Sequence, residues 1–186
     1  LENKKLHLEV QESFDHAIDM LAEVAEFKDK NTGGHISRID SYTCSVAREL
    51  GVSEDEAQLW GKASRLHDVG KIGVPDALLH KPGPLSTEEF DEVRKHTAIG
   101  ASILDHDKFM SIAREVAYSH HERWDGKGYP EGREARELSL LTRIVSVVDV
   151  FDALMSPRPD KCPWSVEDAA AEIERGAGTQ FDPPVV

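Results

Sequence analysis

Three times along the chain a serine stands three positions ahead of an acidic residue at the head of an apolar run: Ser53 with Glu56, Ser86 with Glu89, and Ser165 with Asp168. A serine in that place accepts the N–H of the third helical residue, so each pair marks a helix start. Leu85 and Phe90 flank the second pair as a hydrophobic staple. Beyond these starts, apolar residues recur every three or four positions. Val10, Phe14, Ala17, Leu21 and Val24 predict a helix from Leu6 to about Phe27. It is either the end of a coiled linker from upstream or a first core helix.

After the breaker Gly33-Gly34, a helix is predicted from His35 to Leu50, closed by Gly51. The helix begun at Ser53 passes through Trp60, Ala63 and Leu66 and carries His67 and Asp68 in its last turn. That begun at Ser86 runs to about Leu104 and points His96 inward with Val93, Gly100 and Ile103. A helix from about Phe109 to His121 has the stripe Ala113, Val116, Ala117 and His120. The Val-rich run from Leu140 to Leu154 is too long for a strand and does not alternate, which favours a buried helix. The last helix runs from Ser165 to Gly176. No segment reads as a strand, and the fold class is all-α.

Composition excludes several functions. A net charge of −13 argues against DNA or RNA as a partner, since phosphate backbones attract clustered Lys and Arg. Cys44 and Cys162 are too few and too far apart for a disulfide framework or a cysteine zinc site, which points to the cytoplasm. No apolar stretch approaches the roughly 20 residues that span a bilayer. The chain opens inside a helical pattern and stops at DPPVV, as a module of a longer, even membrane-attached, protein would.

His35, His67, His96, His120 and His121 fall at helix ends or on inward faces, with Asp68 and Asp149. Alone, each histidine reads as a satisfied core residue. Together, imidazoles and carboxylates suit iron, manganese or zinc. Asp149, inside VSVVDVF, would be costly as an unpaired buried anion, and a cation is its natural partner.

HDVGK at 67–71 resembles the HD-domain signature, and HHERWDGKGYP at 120–130 that of the HD-GYP branch. The resemblance extends through TGGHISR, KIGVPDALLHKPGPLS, KHTAIGASIL and RIVSVVDVFDALMSPRP. It implies an HD-domain helical bundle with a metal site in its core over residues 25–186, preceded by a linker or first helix over 1–24. By this resemblance the activity is hydrolysis of cyclic di-GMP to pGpG and on to GMP, with water as nucleophile. His35, His67, Asp68, His96, His120, His121 and Asp149 become ligands of two divalent ions, iron or manganese ahead of zinc, nickel or magnesium, with Asp68 as the bridge. Lys71 is assigned to charge developing on the phosphate and Arg158, Lys161 and Tyr129 to substrate, while Asp152, on the same helix face as Asp149, is assigned either to support of the ligands or to substrate. Tyr129 and its loop are alternatively a contact for GGDEF-domain proteins. Arg123 and Trp124 are either loop anchors or site residues. An upstream receiver or sensor domain and a homodimer complete the implied partners.

Three positions depart from the family pattern. Asn31 stands where relatives with three metals have a glutamate, which predicts two metals here. EGREARELSL follows the GYP motif without the usual isoleucine-proline pair, and Asp160 replaces a tyrosine. These departures keep two alternatives open: a silent module that acts by ligand binding or partner contacts, and a phosphohydrolase for another cyclic dinucleotide.

Overall fold

The computed structural model describes residues 2–28, 34–104, 108–157 and 162–186. Within them the chain is helical, with α1 at Glu2–Lys28, α2 at His35–Glu49, α3 at Glu54–Ser64 and α4 at Asp76–Leu79. The remaining helices are α5 at Thr87–Arg94, α6 at His96–Ile103, α7 at Lys108–Ser119, α8 at Leu140–Met155 and α9 at Val166–Gly176. Short 3₁₀ turns occupy Val69–Gly73, Ala135–Glu137 and Pro183–Val185. Among the described residues the only β-pairing is two isolated bridges, so the all-α expectation holds.

The serine starts behave as their chemistry requires. Ser53, Ser86 and Ser165 accept from the backbone N–H of Glu56, Glu89 and Asp168. Only Ser86 completes the reciprocal box, with its own N–H bonded to Glu89. Two boundaries differ from expectation. The helix begun at Ser53 ends at Ser64, so His67 and Asp68 lie in the turns beyond it rather than in its last turn. The segment from Ser86 to Leu104 breaks at Lys95 into α5 and α6. His96 thereby opens a helix instead of sitting within one.

α8 is the central element. Leu141 and Val145 pack in one apolar cluster with Ile18, Ala22, Leu66 and Val116, while Ile144, Val147 and Val148 pack in a second with Ile39, Ala57, Ile173 and Phe181. A helix buried on both sides must be apolar nearly all round, which is why this Val-rich run is a helix despite its β-propensity. Each such side chain contributes roughly 1.5–3 kcal/mol by leaving water. The two acidic breaks in this run, Asp149 and Asp152, are thereby carried into the centre of the molecule.

α1 splits its stripe. Phe14 turns to the core beside Ile18 and Ala22, whereas Ala17, Leu21 and Val24 are exposed.

One close approach sets the site. The turn at Val69–Gly73 lies against the start of α6, and a Cβ on Gly70 would stand 1.9 Å from the His96 carbonyl oxygen. Only glycine admits this packing.

Candidate metal centre

The histidines come from four separate segments and converge by a shared device. His67 Nδ1 is 2.9 Å from the Ser64 carbonyl, His96 Nδ1 is 2.8 Å from that of Val93, and His120 Nδ1 is 3.0 Å from that of Val116. A carbonyl only accepts, so each Nδ1 carries the proton and each Nε2 presents a lone pair. His35 Nδ1 is held in the same way by Asp152 Oδ2 at 2.7 Å. Backbone carbonyls and carboxylates in this role fix ring orientation in metal-binding histidines.

The Nε2 atoms meet around Asp68. Asp68 Oδ1 is 3.5 Å from His96 Nε2 and 3.8 Å from His120 Nε2, and its Oδ2 is 3.3 Å from His67 Nε2. Asp149 Oδ1 lies 3.8 Å from His67 Nε2 and 4.0 Å from His35 Nε2. Potential ligand atoms fall into two groups, each within 4.8 Å: Asp68, His96, His120 and His121, and His35, His67 and Asp68. Asp68 belongs to both.

His67 Nε2, His96 Nε2, His120 Nε2 and Asp68 Oδ1 are buried without a hydrogen-bond partner. Four such orphans in one place would be a heavy desolvation cost in a finished core. Divalent cations at the two groups would satisfy all of them, and the donor set fits such ions.

The electrostatics of three of the histidines agree. Burial pushes the His96 and His120 imidazoles down and takes His121 to about 4, which keeps them neutral as ligands must be. Burial also disfavours the His67 cation, but the carboxylates of Asp68 and Asp149 outweigh it and raise the group to about 9, so without a metal His67 holds a second proton that a bound cation would displace. Burial disfavours the Asp68 carboxylate, yet Lys71 and the histidines hold it well below the usual range. Lys71 Nζ stands 2.7 Å from Asp68 Oδ2, at the edge of the cluster as expected.

Of its two expected roles, the geometry places Asp152 in the supporting one, behind His35. Its carboxylate is buried and accepts from His35, Arg38 and Ser156, so both oxygens are committed within the protein rather than open to a substrate. Its shared helix face with Asp149 is real, and the outcome is support for His35. Burial would raise the group, but these bonds bring it to about 2. Arg38 was missed. The signal was its place three residues after His35, on the same face of α2.

Tyr129 stacks on His121 with ring centroids 4.7 Å apart, and the Arg94 guanidinium lies over its ring at 5.0 Å. Its N–H donates to the His121 carbonyl, and the Tyr129-Pro130 bond is cis. Arg123 pairs with Asp125, and the Trp124 backbone N–H donates to the Gln180 carbonyl, which ties the loop to the segment after α9. The loop's principal clamp, Glu122, was also missed. It is buried, and its Oε1 accepts from the N–H groups of Glu131 at 2.8 Å and Gly132 at 3.1 Å. Gly128 lets the loop lie on the backbone of His121–Arg123, where a Cβ would come within 2.5 Å of Glu122 Cα. Gly132, the displaced glycine after the motif, is one of the residues that the clamp holds.

α1 reaches the site from the other side. Glu26 Oε1 accepts from the His35 N–H at 3.2 Å, and Lys28 Nζ donates to the carbonyls of Ile72 and Val74 at 2.9 and 2.8 Å. A small cavity between α1 and the cluster is lined by Ala22, Glu26, His35, His67, Asp68 and Lys71. Asn31, Arg158, Asp160 and Lys161 lie outside the described residues.

The HD-domain family pattern, two of whose namesakes are the central pair His67-Asp68, matches residues 18–185. The chain belongs to the HD-domain family. HHERWDGKGYP assigns it to the HD-GYP branch. It is 38% identical over 187 residues to 3'3'-cGAMP-specific phosphodiesterase 2 of Vibrio cholerae, covering 100% of this chain and 36% of that protein. It is 42% identical over 171 residues to a cyclic di-GMP phosphodiesterase of Thermotoga maritima, covering 91% of this chain and 46% of that one. The HD-domain chain thus spans less than half the length of these relatives. Its fold is similar to that of Bd1817, an HDG"Y"P protein of Bdellovibrio bacteriovorus, with a TM-score of 0.65 at 18% identity, over 94% of this chain and 61% of that one.

Proposed function

We propose that this HD-GYP domain is a phosphodiesterase that hydrolyses cyclic di-GMP to pGpG and then GMP at a pair of divalent ions. One observation carries the metal assignment: Asp68 is shared by two ligand groups, one with His96, His120 and His121 and the other with His35 and His67. A carboxylate placed so would bridge two ions, with Asp149 completing the group at His35 and His67. The mixed imidazole and carboxylate set suits iron or manganese. Such an ion pair, when bound, supplies Lewis acidity that lowers the pKa of a water and draws charge off a phosphoryl oxygen.

The protein's own residues do the rest. Asp152 and Arg38 hold His35, and the three backbone carbonyls hold His67, His96 and His120, so the Nε2 atoms are aimed before any ligand arrives. Lys71, beside Asp68, is placed to neutralise charge developing on the phosphate. Tyr129 closes one side over His121 and offers a ring edge to a base. Arg158 and Lys161 are the proposed phosphate contacts, because a guanidinium and an ammonium both suit that anion. The GYP loop is also the face proposed for GGDEF-domain partners. An upstream receiver or sensor domain is the proposed input.

A second reading is supported by the similarity to a 3'3'-cGAMP-specific enzyme along the whole chain. The chemistry would be the same, and only the base pocket would differ. The test is turnover of both dinucleotides by anaerobically purified chain loaded with iron or manganese, with products resolved by chromatography. Asp68→Ala should abolish turnover while helix content is retained. Full activity in a folded Asp68→Ala protein would overturn the proposal, and binding without turnover in the parent would identify a silent module.

A further inference from the structure

Arg94 stands beside the metal centre without belonging to it. It closes α5, two positions before His96. Its guanidinium carbon is 4.5 Å from the Phe90 ring centroid and 5.0 Å from that of Tyr129, and those two rings are 6.1 Å apart. Tyr129 in turn lies 4.7 Å from the His121 ring. A chain of contacts thus runs from a proposed metal ligand through the GYP loop to α5.

The donors of this cation are lightly used. Among the described residues its side-chain hydrogen bond runs from Nη1 to Asp91 Oδ1 at 3.1 Å, in an ion pair whose two side chains are 43% and 59% exposed. Such a pair contributes little and gives way easily. Its Nε is buried without a hydrogen-bond partner, so ring contact holds the group more than hydrogen bonding does. Contact with a ring engages the charge of a guanidinium and leaves its N–H fork for a planar acceptor.

Phe90 adds an apolar surface that is 39% exposed. An aromatic surface and a guanidinium beside a phosphate-cleaving centre have the composition of a purine subsite, since bases stack on such planes and are read along their edges. Tyr129 is fixed there, because its N–H donates to the His121 carbonyl and Glu122 clamps the loop just beyond it.

We propose that Arg94, held by Phe90 and Tyr129, reads a guanine of the substrate by donating to its O6 and N7, and so sets the preference between guanine and adenine. This role rests on the phosphodiesterase function proposed for the centre and names the residue that chooses among its substrates. Guanine presents two acceptors on that edge, whereas adenine puts an amino donor, N6, beside N7. Arginine keeps its proton and has no acceptor, so it meets that donor with another donor and disfavours adenine. A cation used on phosphate instead would not distinguish the bases.

The test compares kcat/KM for cyclic di-GMP and for cyclic di-AMP in the manganese-loaded 186-residue chain and two variants. Arg94→Ala should lower the ratio of the two by about 10–100-fold, the discrimination of one bidentate pair. Arg94→Gln should raise cyclic di-AMP cleavage above the parent's, because a glutamine amide pairs with adenine N6 and N7; a disturbed fold produces no such gain. An unchanged ratio in either variant, or an equal loss on both dinucleotides, would overturn the proposal, and the equal loss would place the cation on phosphate. Bis(p-nitrophenyl) phosphate, a diester without bases, keeps this result apart from the phosphodiesterase itself. A parent inactive on that diester and on both dinucleotides would refute the phosphodiesterase, and Arg94 is then judged by binding. The affinity ratio for the two dinucleotides should fall by the same factor in Arg94→Ala, and an unchanged ratio or no binding would overturn the role of Arg94.

Discussion

Replacing Gly70 by alanine is expected to unseat the metal centre, and the size of the effect follows from three distances. The added Cβ would stand 1.9 Å from His96 O, 2.4 Å from Gly100 N and 2.8 Å from the His96 carbonyl carbon. All three are backbone atoms of α6, so no rotamer change relieves the contact. Restoring even a tight contact moves the Val69–Gly73 turn and α6 apart by about 1 Å. Overpacking usually costs about 1–3 kcal/mol, and with a rigid backbone on both sides the upper end, ~3 kcal/mol, is expected.

The same displacement reaches the ligands, because Asp68 immediately precedes this turn and His96 opens α6. Their ligand atoms, Oδ1 and Nε2, are 3.5 Å apart. Metal–ligand distances tolerate about 0.2 Å, so a 1 Å separation removes a ligand and should weaken binding by ~10-fold or more. Urea unfolding of the metal-free chain measures the first effect, and metal titration measures the second. Ser102→Ala, an exposed site on the same helix, serves as the comparison and should stay within about 0.5 kcal/mol. A Gly70→Ala chain with the parent's unfolding midpoint and metal content would refute the reasoning.

Three further outcomes are expected. Asp152→Asn should lower metal affinity by about 10–100-fold, read by competition with a chelating dye, because His35 loses the carboxylate that fixes its tautomer; unchanged affinity would mean that Asp152 does not position His35. Glu122→Ala should free the N–H groups of Glu131 and Gly132 at a cost of roughly 1.5–3 kcal/mol, seen as faster hydrogen exchange confined to the GYP loop. Removing metal with a chelator should lower the melting temperature, since a ligand held at 100 times its dissociation constant stabilises by about 2.7 kcal/mol, and an unchanged melting temperature would count against a bound ion among the orphaned nitrogens of His67, His96 and His120.

The helices were legible wherever local chemistry decides them. Ser53, Ser86 and Ser165 cap as their spacing requires, and the all-round apolar character of the run from Leu140 distinguished a buried helix from a strand. The break at Lys95 was not legible, because nothing in the local pattern there disfavours a continuous helix. The packing of α6 against the Gly70 turn is a contact between segments far apart in sequence. Arg38 and Glu122 were overlooked for a related reason. A charged residue on a helix face, like Arg38, or in a loop, like Glu122, reads as solvated until the fold shows which buried group it meets, and their partners are Asp152 and the backbone of Glu131 and Gly132.

By itself, the sequence determined the helical class and a candidate set of metal-binding residues. Periodicity, caps and the chemistry of imidazole and carboxylate are properties of short stretches. Tertiary structure decided how those residues are used. It turned the Nε2 atoms of His67, His96 and His120 inward by spending each Nδ1 on a backbone carbonyl, shared Asp68 between two groups, and withdrew Asp152 behind His35. It also chose which of the two apolar faces of α1 enters the core. These outcomes depend on distances between segments that one-dimensional spacing does not contain.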